Sequence, residues 1–377
     1  MNIRRQTQLT AALAATITLG GCAFLPAQQR ASGDVAAPVA QVVAAPDPRA
    51  ARLPSLETRH FELRGDERLI GETQVLFTRF ENTFAVIARE YNLGYEELRH
   101  ANPGVDHWLP GEDTPVYLPT QSIVPEAPRE GIVLNLPSMR LLYFTRETVN
   151  VDGQEQERRF VTSHPVGIGR EGWATPTGDA SVTQKARDPA WYPPASVRAE
   201  HEALGDPLPS VVEPGPDNPL GSFALKLSMP GYLIHGTNKP SGVGMRVSHG
   251  CIRLYPEDIE ALYERVPSGT SVTIVNQPVL AAWHDGELYL EVHRPLAEDE
   301  QDLNEAARRL LEAAFAEHAD GAATLDLEAV ARVVREQRGI PFPVLRSERT
   351  PEQYLAAARI VENTAPLPEP ETTAQVE

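Results

Sequence analysis

The sequence predicts a mainly β central domain, preceded by a small βααβ unit and followed by a β-hairpin and two helices. Three observations support this prediction. Between residues 128 and 276, short apolar runs alternate with Gly and Pro turns, as is typical of strands. Residues 84–101 and 303–334 instead place apolar side chains at helical spacing. Asp285-Gly286 separates two strand-like runs, which is the strongest hairpin signal in the chain.

Residues 1–21 have the pattern of an export signal. Two arginines precede an apolar run at residues 9–19, which is shorter than the roughly 20 residues that span a bilayer. The run ends in Leu19-Gly20-Gly21-Cys22, which resembles the lipobox of bacterial lipoproteins. The resemblance implies acylation of Cys22 and a lipid-anchored protein on the periplasmic side, with the outer membrane favoured because Ala23 follows. The alternative is an ordinary secretory signal with an incidental cysteine.

Composition excludes one class of partner. The chain has 377 residues and a net charge of −18, with 52 acidic and 34 basic residues, which argues against nucleic-acid binding. Residues 22–56 are rich in Ala, Pro, Val and Gln and predict a flexible tether. Residues 366–377 are rich in Pro, Glu and Thr and predict a disordered tail.

The small unit is predicted at residues 69–120. Its first helix places Phe84, Ile87, Ala88 and Tyr91 on one face, with Asn82 as the expected N-cap. A second helix at 95–101 and a short strand at 115–119 complete a pattern that resembles a LysM domain. That resemblance implies binding to N-acetylated glycan strands, although the family's usual helix opening is absent. The alternative is a small helical spacer.

The central domain is predicted at residues 128–276. One helix begins at Pro256, which suits a first helical position, and acidic residues follow it. The predicted strands are Ile132–Leu136, Arg140–Phe144, Arg159–Ser163 and Ser271–Val275. Residues 277–360 follow as an appendage of a hairpin and two amphipathic helices, expected to pack on the central domain. The pattern indicates no function for this appendage.

Cys251 is the single cysteine of the predicted domains, since Cys22 belongs to the export signal. Exported proteins usually pair their cysteines or lack them, so a thiol beside His249 and Gly250 is a candidate nucleophile. His235 ends a short apolar run that predicts a buried strand, and a rigid strand end could hold its imidazole near the sulfur. Two alternatives are an inert buried cysteine and a zinc site built from His235, His249 and Cys251.

These motifs together resemble one known family. His235-Gly236-Thr237 followed by Ser248-His249-Gly250-Cys251-Ile252-Arg253 is similar to the signature of the L,D-transpeptidases (YkuD; ErfK/YbiS/YcfS/YnhG group). The similarity includes the loops at 166–169 and 175–178. The resemblance implies a β-sandwich-like catalytic domain over residues 128–276.

The resemblance also implies roles for individual residues. Cys251 would be the nucleophile and His235 the proton donor and acceptor, with the Gly236 carbonyl orienting the imidazole. Backbone N–H groups near Gly250 and Cys251 would stabilise the oxyanion. The remaining supporting residues would be Ser248, His249 and Arg253. Arg253 would meet a carboxylate of the stem peptide, although many members of the family carry Asn there.

The implied reaction is a two-step acyl transfer on peptidoglycan. Cys251 would attack the bond between diaminopimelate and the terminal D-Ala of a tetrapeptide stem, and D-Ala would leave. An amine would then take the acyl group, giving 3→3 cross-links or anchoring an abundant outer-membrane lipoprotein through its Lys. No metal or organic cofactor is implied, because thiolate and imidazole suffice. The alternatives are a hydrolase (carboxypeptidase) of the same bond and a non-catalytic wall-binding lipoprotein.

Overall fold

The computed structural model of the chain describes residues 59–317, 323–347 and 350–367. The predicted signal 1–21, the tether 22–56 with Cys22, and residues 368–377 of the predicted tail lie outside them. No helix within the described part is long and apolar enough to cross a membrane. The helices are α1 Phe84–Glu90, α2 Tyr95–Ala101, α3 Ala195–Ala203, α4 Pro256–Arg265, α5 Leu303–Glu317, α6 Leu327–Glu336 and α7 Pro351–Ala356.

Strands form most of the other elements of the described residues. The first nine are β1 His60–Leu63, β2 Leu69–Ile70, β3 Gln74–Phe77, β4 Pro115–Leu118, β5 Ser122–Ile123, β6 Gly131–Asn135, β7 Arg140–Val151, β8 Gln154–Pro165 and β9 Ile168–Gly169. The others are β10 Gly178–Arg187, β11 Phe223–Leu227, β12 Leu233–His235, β13 Arg246–Ser248, β14 Ile252–Arg253, β15 Ser271–Val275, β16 Val279–His284, β17 Glu287–Val292, β18 Phe342–Pro343 and β19 Arg359–Ile360.

The central domain is built on a nine-stranded sheet, so the mainly β prediction is confirmed. The strand order is β1-β8-β7-β6-β15-β10-β11-β12-β14. β10 forms a corner, because its first half, Gly178–Ser181, pairs with β15 and its second half pairs with β11. A register shift between Val182 and Gln184 accompanies the change of partner. Such a switch folds one part of a sheet over another and encloses an apolar core.

The β7–β8 hairpin extends well beyond its predicted strands. It pairs from Arg140 with Pro165 to Val151 with Gln154, whereas the sequence indicated only the buried halves. The outer halves were missed because they alternate between partly and fully exposed side chains without an apolar run. β1 was also missed, since it lies before the predicted small unit and is recognisable only through its pairing with β8.

The small unit has the expected strand–helix–helix–strand order. β3 and β4 form an antiparallel pair, and α1 and α2 lie between them in the chain. The expected N-cap was wrong by one residue: the Thr83 side chain accepts from the Val86 N–H, while Asn82 Oδ1 accepts from the Arg79 N–H. Whether this unit is a LysM domain stays a prediction.

The appendage contacts both other units. Its apolar core, formed by β16, β17, α5 and α6, includes Ala101 from α2. The Arg338 guanidinium donates to the Ala101 carbonyl and lies 5.7 Å from the Tyr117 ring centre. β19 pairs in parallel with β3 and buries Ala365 in the small unit's core. The expectation that the appendage packs on the central domain was therefore incomplete.

A buried ion pair joins the small unit to the central domain. Arg140 at the start of β7 donates from Nε and Nη2 to the two carboxylate oxygens of Glu97 in α2, at 2.8 and 2.9 Å. Its Nη1 donates to Ser163 Oγ at 3.0 Å. The side chains of Arg140 and Glu97 are only 5% and 9% exposed. Removing one partner would leave the other charge buried without compensation.

We expect Arg140→Met to lower the free energy of unfolding by about 3–5 kcal/mol, because Glu97 loses a bidentate partner in a buried site. Denaturant unfolding of the purified protein measures this change. Arg146→Met is the matched control, since the Arg146–Glu157 pair is 72% and 63% exposed and should cost at most about 1 kcal/mol. Equal losses in the two variants would contradict a stabilising role for the Arg140–Glu97 contact.

Candidate active site

Cys251 and His235 line one cleft of about 730 Å³ on the central domain. The pairing of β12 with β14 brings them together, since the strands are parallel with Ile234 opposite Ile252 and His235 opposite Arg253. Side chains alternate across a sheet, and Ile234 and Ile252 point into the core. His235 and Arg253 therefore share the opposite face of these strands, and Cys251, directly before β14, lines the same cleft.

The His235 imidazole is held in a defined orientation. Its Nδ1 lies 2.6 Å from the Gly236 carbonyl oxygen, and the residue is 3% exposed. A carbonyl only accepts, so Nδ1 carries the proton and Nε2 keeps a lone pair. Burial lowers the pKa of His235 to about 3, with the positive charge of Arg253 as the second cause. The imidazole is thus neutral at ordinary pH and suited to accept a proton.

Cys251 follows a tight turn and is partly buried. The Cys251 Sγ lies 3.7 Å from the Gly231 carbonyl oxygen, and Ser248 Oγ donates to the Cys251 carbonyl at 2.6 Å. Gly250 has φ +103°, a conformation that favours glycine, and a Cβ there would lie 3.0 Å from the Tyr232 ring. The turn that precedes the thiol therefore depends on glycine.

The oxyanion role of the backbone N–H groups near Gly250 and Cys251 stays a prediction, and the structure adds one contact of Gly250. Its N–H donates to Ser248 Oγ at 3.2 Å and so supports the turn in this conformation. Ser248 Oγ both accepts this bond and donates to the Cys251 carbonyl, which closes a small ring of contacts beside the thiol. Ser248 is 1% exposed, so its predicted supporting role is structural in this geometry.

Thr175 holds the same turn from the other side. Its hydroxyl donates to the Gly250 carbonyl at 2.8 Å and accepts from the Gly169 N–H at 3.0 Å. The residue is 5% exposed. The sequence singled out the 175–178 loop without indicating this contact, because the 75-residue separation hides it.

We expect Thr175→Val to lower the free energy of unfolding by about 1–3 kcal/mol and to slow acylation of Cys251, because two buried backbone groups lose their partner. Thermal unfolding and a rate of covalent labelling by a carbapenem measure the two effects. Thr183→Val is the matched control, since Thr183 is exposed and its hydroxyl bonds only the Lys226 carbonyl, at 3.1 Å. A Thr175 variant as stable and as fast as the control would contradict this assignment.

An insertion between β10 and β11 covers one side of the cleft, and the sequence did not indicate its role. Glu200 in α3 accepts from Arg170 and lies 2.9 Å from His249 Nε2. The His249 ring also packs edge-on against Trp173, with centroids 4.8 Å apart. Burial lowers the pKa of His249, and hydrogen bonding to Glu200 opposes that shift. His249 therefore links the turn before Cys251 to the insertion.

The zinc alternative has no support in this geometry. Within the ranges that the structure describes, no group of three or more His, Cys, Asp or Glu side chains is placed to hold a metal ion. His235 uses Nδ1 on the Gly236 carbonyl and His249 uses Nε2 on Glu200. The two imidazoles and the thiol line the cleft with separate partners.

Two family models and several curated relatives match this chain. Models of the L,D-transpeptidase catalytic domain and C-terminal domain match residues 129–274 and 280–344. "Probable L,D-transpeptidase YcfS" of Escherichia coli K12 is 39% identical over 293 residues, covering 76% of this chain and 88% of that protein. "Probable L,D-transpeptidase YbiS" of the same strain is 44% identical over 237 residues, covering 62% and 74%.

The solved L,D-transpeptidase 3 from Mycobacterium tuberculosis is 20% identical, with a TM-score of 0.27, and covers 43% of this chain and 67% of that one. The sequence identities to the two Escherichia coli proteins decide the class of this protein, and the weak structural similarity does not. The chain belongs to the L,D-transpeptidase family. It is accordingly an enzyme that acts on peptidoglycan stem peptides, and its C-terminal appendage matches a recognised domain of the same family.

Proposed function

We propose that Cys251 and His235 carry out the acyl transfer. The observation that carries this proposal is their common placement in one cleft, with the neutral His235 ring fixed through Nδ1. His235 Nε2 takes the proton from Sγ, and the thiolate attacks the carbonyl at the L-centre of diaminopimelate. The imidazolium then gives its proton to the leaving nitrogen of D-Ala, and a thioester remains.

The second step reverses the first with a new nucleophile. An amine enters, His235 takes its proton, the nitrogen bonds to the thioester carbon, and the Cys251 thiolate leaves. Because burial lowers the pKa of His235, the imidazole enters each step neutral and able to accept a proton.

We propose an amine of a second diaminopimelate or of a lipoprotein Lys as the acceptor. The cleft supports this choice through apolar side chains, including Trp173, Trp191 and Val197, that reduce the access of bulk water to the thioester. Incubation with purified disaccharide tetrapeptides, followed by mass spectrometry, should yield 3→3 dimers. Addition of a Lys-terminated lipoprotein peptide should yield its adduct. Tripeptides as the sole product would overturn this acceptor and favour the hydrolase.

We propose that the small unit binds glycan strands. Phe80, Trp108 and Leu109 are 68%, 62% and 68% exposed on its two connecting loops. Asp106 Oδ1 accepts from the N–H groups of Trp108 and Leu109, and Glu112 accepts from the Phe80 N–H at 2.6 Å. These hydrogen bonds fix the loop backbone while the three apolar side chains stay exposed to solvent. The face of a sugar ring could pack against them.

Pelleting with purified, stem-free peptidoglycan glycan tests this proposal. Trp108→Ala should weaken binding at least about 10-fold, because an exposed aromatic anchor is lost. Leu327→Ala, at a 70% exposed site in α6, is the matched control and should bind like the wild type. Equal binding by both variants would exclude the two loops as the glycan site.

We propose a lipid anchor at Cys22, on the periplasmic side and with the outer membrane favoured. The support is the sequence Leu19-Gly20-Gly21-Cys22 after a short apolar run. Radiolabelled palmitate should be incorporated by the wild type and not by Cys22→Ser. Cell fractionation should then separate the two membranes. If the wild type incorporates no label, residues 1–21 would instead be an ordinary export signal with an incidental cysteine.

A further inference from the structure

The small unit contacts the chain just before the catalytic motif at residues 248–253. The first two N–H groups of α2 donate to the carbonyls of Val243 and Gly244, at 3.4 and 3.1 Å. The two backbones meet through glycine, because a Cβ on Gly94 would lie only 2.9 Å from the Gly244 Cα. Carbon atoms in contact prefer a separation of about 3.5–4.0 Å. The α1–α2 connection, residues 91–94, is therefore packed against this loop as closely as two backbones allow.

The loop leads from the small unit to the turn that carries the thiol. Met245 packs its side chain against the apolar core of the small unit, while its carbonyl accepts from the Ile168 N–H at 3.1 Å. β13 begins at the next residue and ends at Ser248, whose hydroxyl donates to the Cys251 carbonyl at 2.6 Å. The chain that precedes the thiol is thus held at one end by the small unit.

The same connection also contacts the chain after the motif. The Tyr255 hydroxyl donates to the Leu93 carbonyl at 3.0 Å, and the Asn92 amide donates to Asp258 Oδ1 at 2.8 Å. Tyr255 and Asp258 are 3% and 1% exposed. Burial raises the pKa of Tyr255, so its phenol keeps the proton that it donates. The α1–α2 connection therefore touches the chain on both sides of the catalytic motif.

Both sets of contacts bear on the geometry of the catalytic pair. Leu254, which follows the motif, donates its N–H to the His235 carbonyl at 2.9 Å. We propose that the α1–α2 connection is a positioning element, which holds the segments on both sides of Cys251 and so fixes the thiol relative to the His235 imidazole. A displacement of about 1 Å can slow a reaction by roughly 100-fold. The inference rests on the function proposed for Cys251 and His235, and it does not require glycan binding.

Gly94→Ala tests the contact from the small unit, at a residue outside the cleft. Gly94 has an ordinary φ of −79°, so the added methyl group acts through its contact with Gly244 and not through backbone strain. Relief of that contact requires a shift of roughly 0.5–1 Å. With a saturating carbapenem, which carries no glycan, we expect one full equivalent of adduct, formed about 10-fold more slowly than in wild type. Stopped-flow absorbance gives the rate constant, and intact mass gives the amount of adduct.

Gly104→Ala is the matched control in the same unit. Gly104 has φ +87°, and nothing lies within 4 Å of an added Cβ. The substitution therefore strains the backbone of the small unit without disturbing the α1–α2 connection. Its acylation rate constant should equal that of wild type, even if the unit is less stable.

Tyr255→Phe tests the contact on the other side of the motif. It keeps the ring and removes the hydrogen bond to Leu93, so acylation should slow by at least about 3-fold with a full equivalent of adduct. Tyr143→Phe is its matched control, because the Tyr143 hydroxyl also donates to a backbone carbonyl, that of Arg265, at 3.1 Å within the central domain. This control should keep the wild-type rate constant.

Unchanged rate constants in both Gly94→Ala and Tyr255→Phe would overturn the inference. So would less adduct formed at the wild-type rate constant, because that result shows fewer folded molecules and no change at the thiol. Equal slowing in the two controls would assign the effect to lost stability and would also overturn it. If Gly94→Ala does not fold, Tyr255→Phe decides. A wild type that forms no adduct at Cys251 would instead sink the proposed function.

Discussion

Cys251→Ala is expected to abolish the thioester and to lower transpeptidation by at least 10³-fold, a rough bound for removal of a covalent nucleophile. Intact-mass analysis after incubation with a carbapenem provides a second measurement: wild type should gain one adduct and the variant none. The expectation rests on the place of Cys251 in the same cleft as His235, on a turn held by Ser248 and Thr175.

The control for this variant is Cys22→Ser, which removes the other cysteine of the chain. It should form the same adduct as wild type, because Cys22 lies far in sequence from the cleft residues. An equal adduct on wild type and Cys251→Ala would show that another group reacts, and the nucleophile would have to be reassigned.

His235→Asn is expected to lower the rate of Cys251 acylation by about 10²–10⁴-fold, the usual contribution of a general base. The amide of Asn can still donate to the Gly236 carbonyl, so the local structure is preserved while the proton acceptor is lost. Stopped-flow measurement of β-lactam ring opening gives the rate. A loss below about 3-fold with the variant folded would assign the base to another residue.

The same variant should change the pH dependence of stability. The pKa of His235 is about 3 in the folded chain and about 6.5 when unfolded, so unfolding takes up a proton between these values. The free energy of unfolding of wild type should therefore fall as pH decreases from about 6.5 towards 3. His235→Asn lacks this contribution. The free energy of unfolding of wild type minus that of the variant should therefore decrease as pH falls over that range. A constant difference would mean that His235 is not buried in a neutral form.

Local sequence patterns were sufficient to predict several helices and strands. The helix at Tyr95–Ala101 and the strand at Ser271–Val275 have the predicted bounds, because apolar spacing and turn residues act over a few positions. The Cys251 region was recognisable for a similar reason, since its motif residues are adjacent in sequence. The contacts of Thr175 with Gly250 and of Glu200 with His249 were not predictable, because nothing in either segment indicates its distant partner.

The sequence by itself therefore predicted the mainly β class of the central fold and the residues that are proposed to carry the chemistry. The tertiary structure decided how the three units meet. The Arg140–Glu97 ion pair and the addition of β19 to β3 each depend on segments far apart in the chain. The physical reason is that secondary structure and motifs follow from neighbouring residues, whereas burial and charge pairing follow from which surfaces pack together.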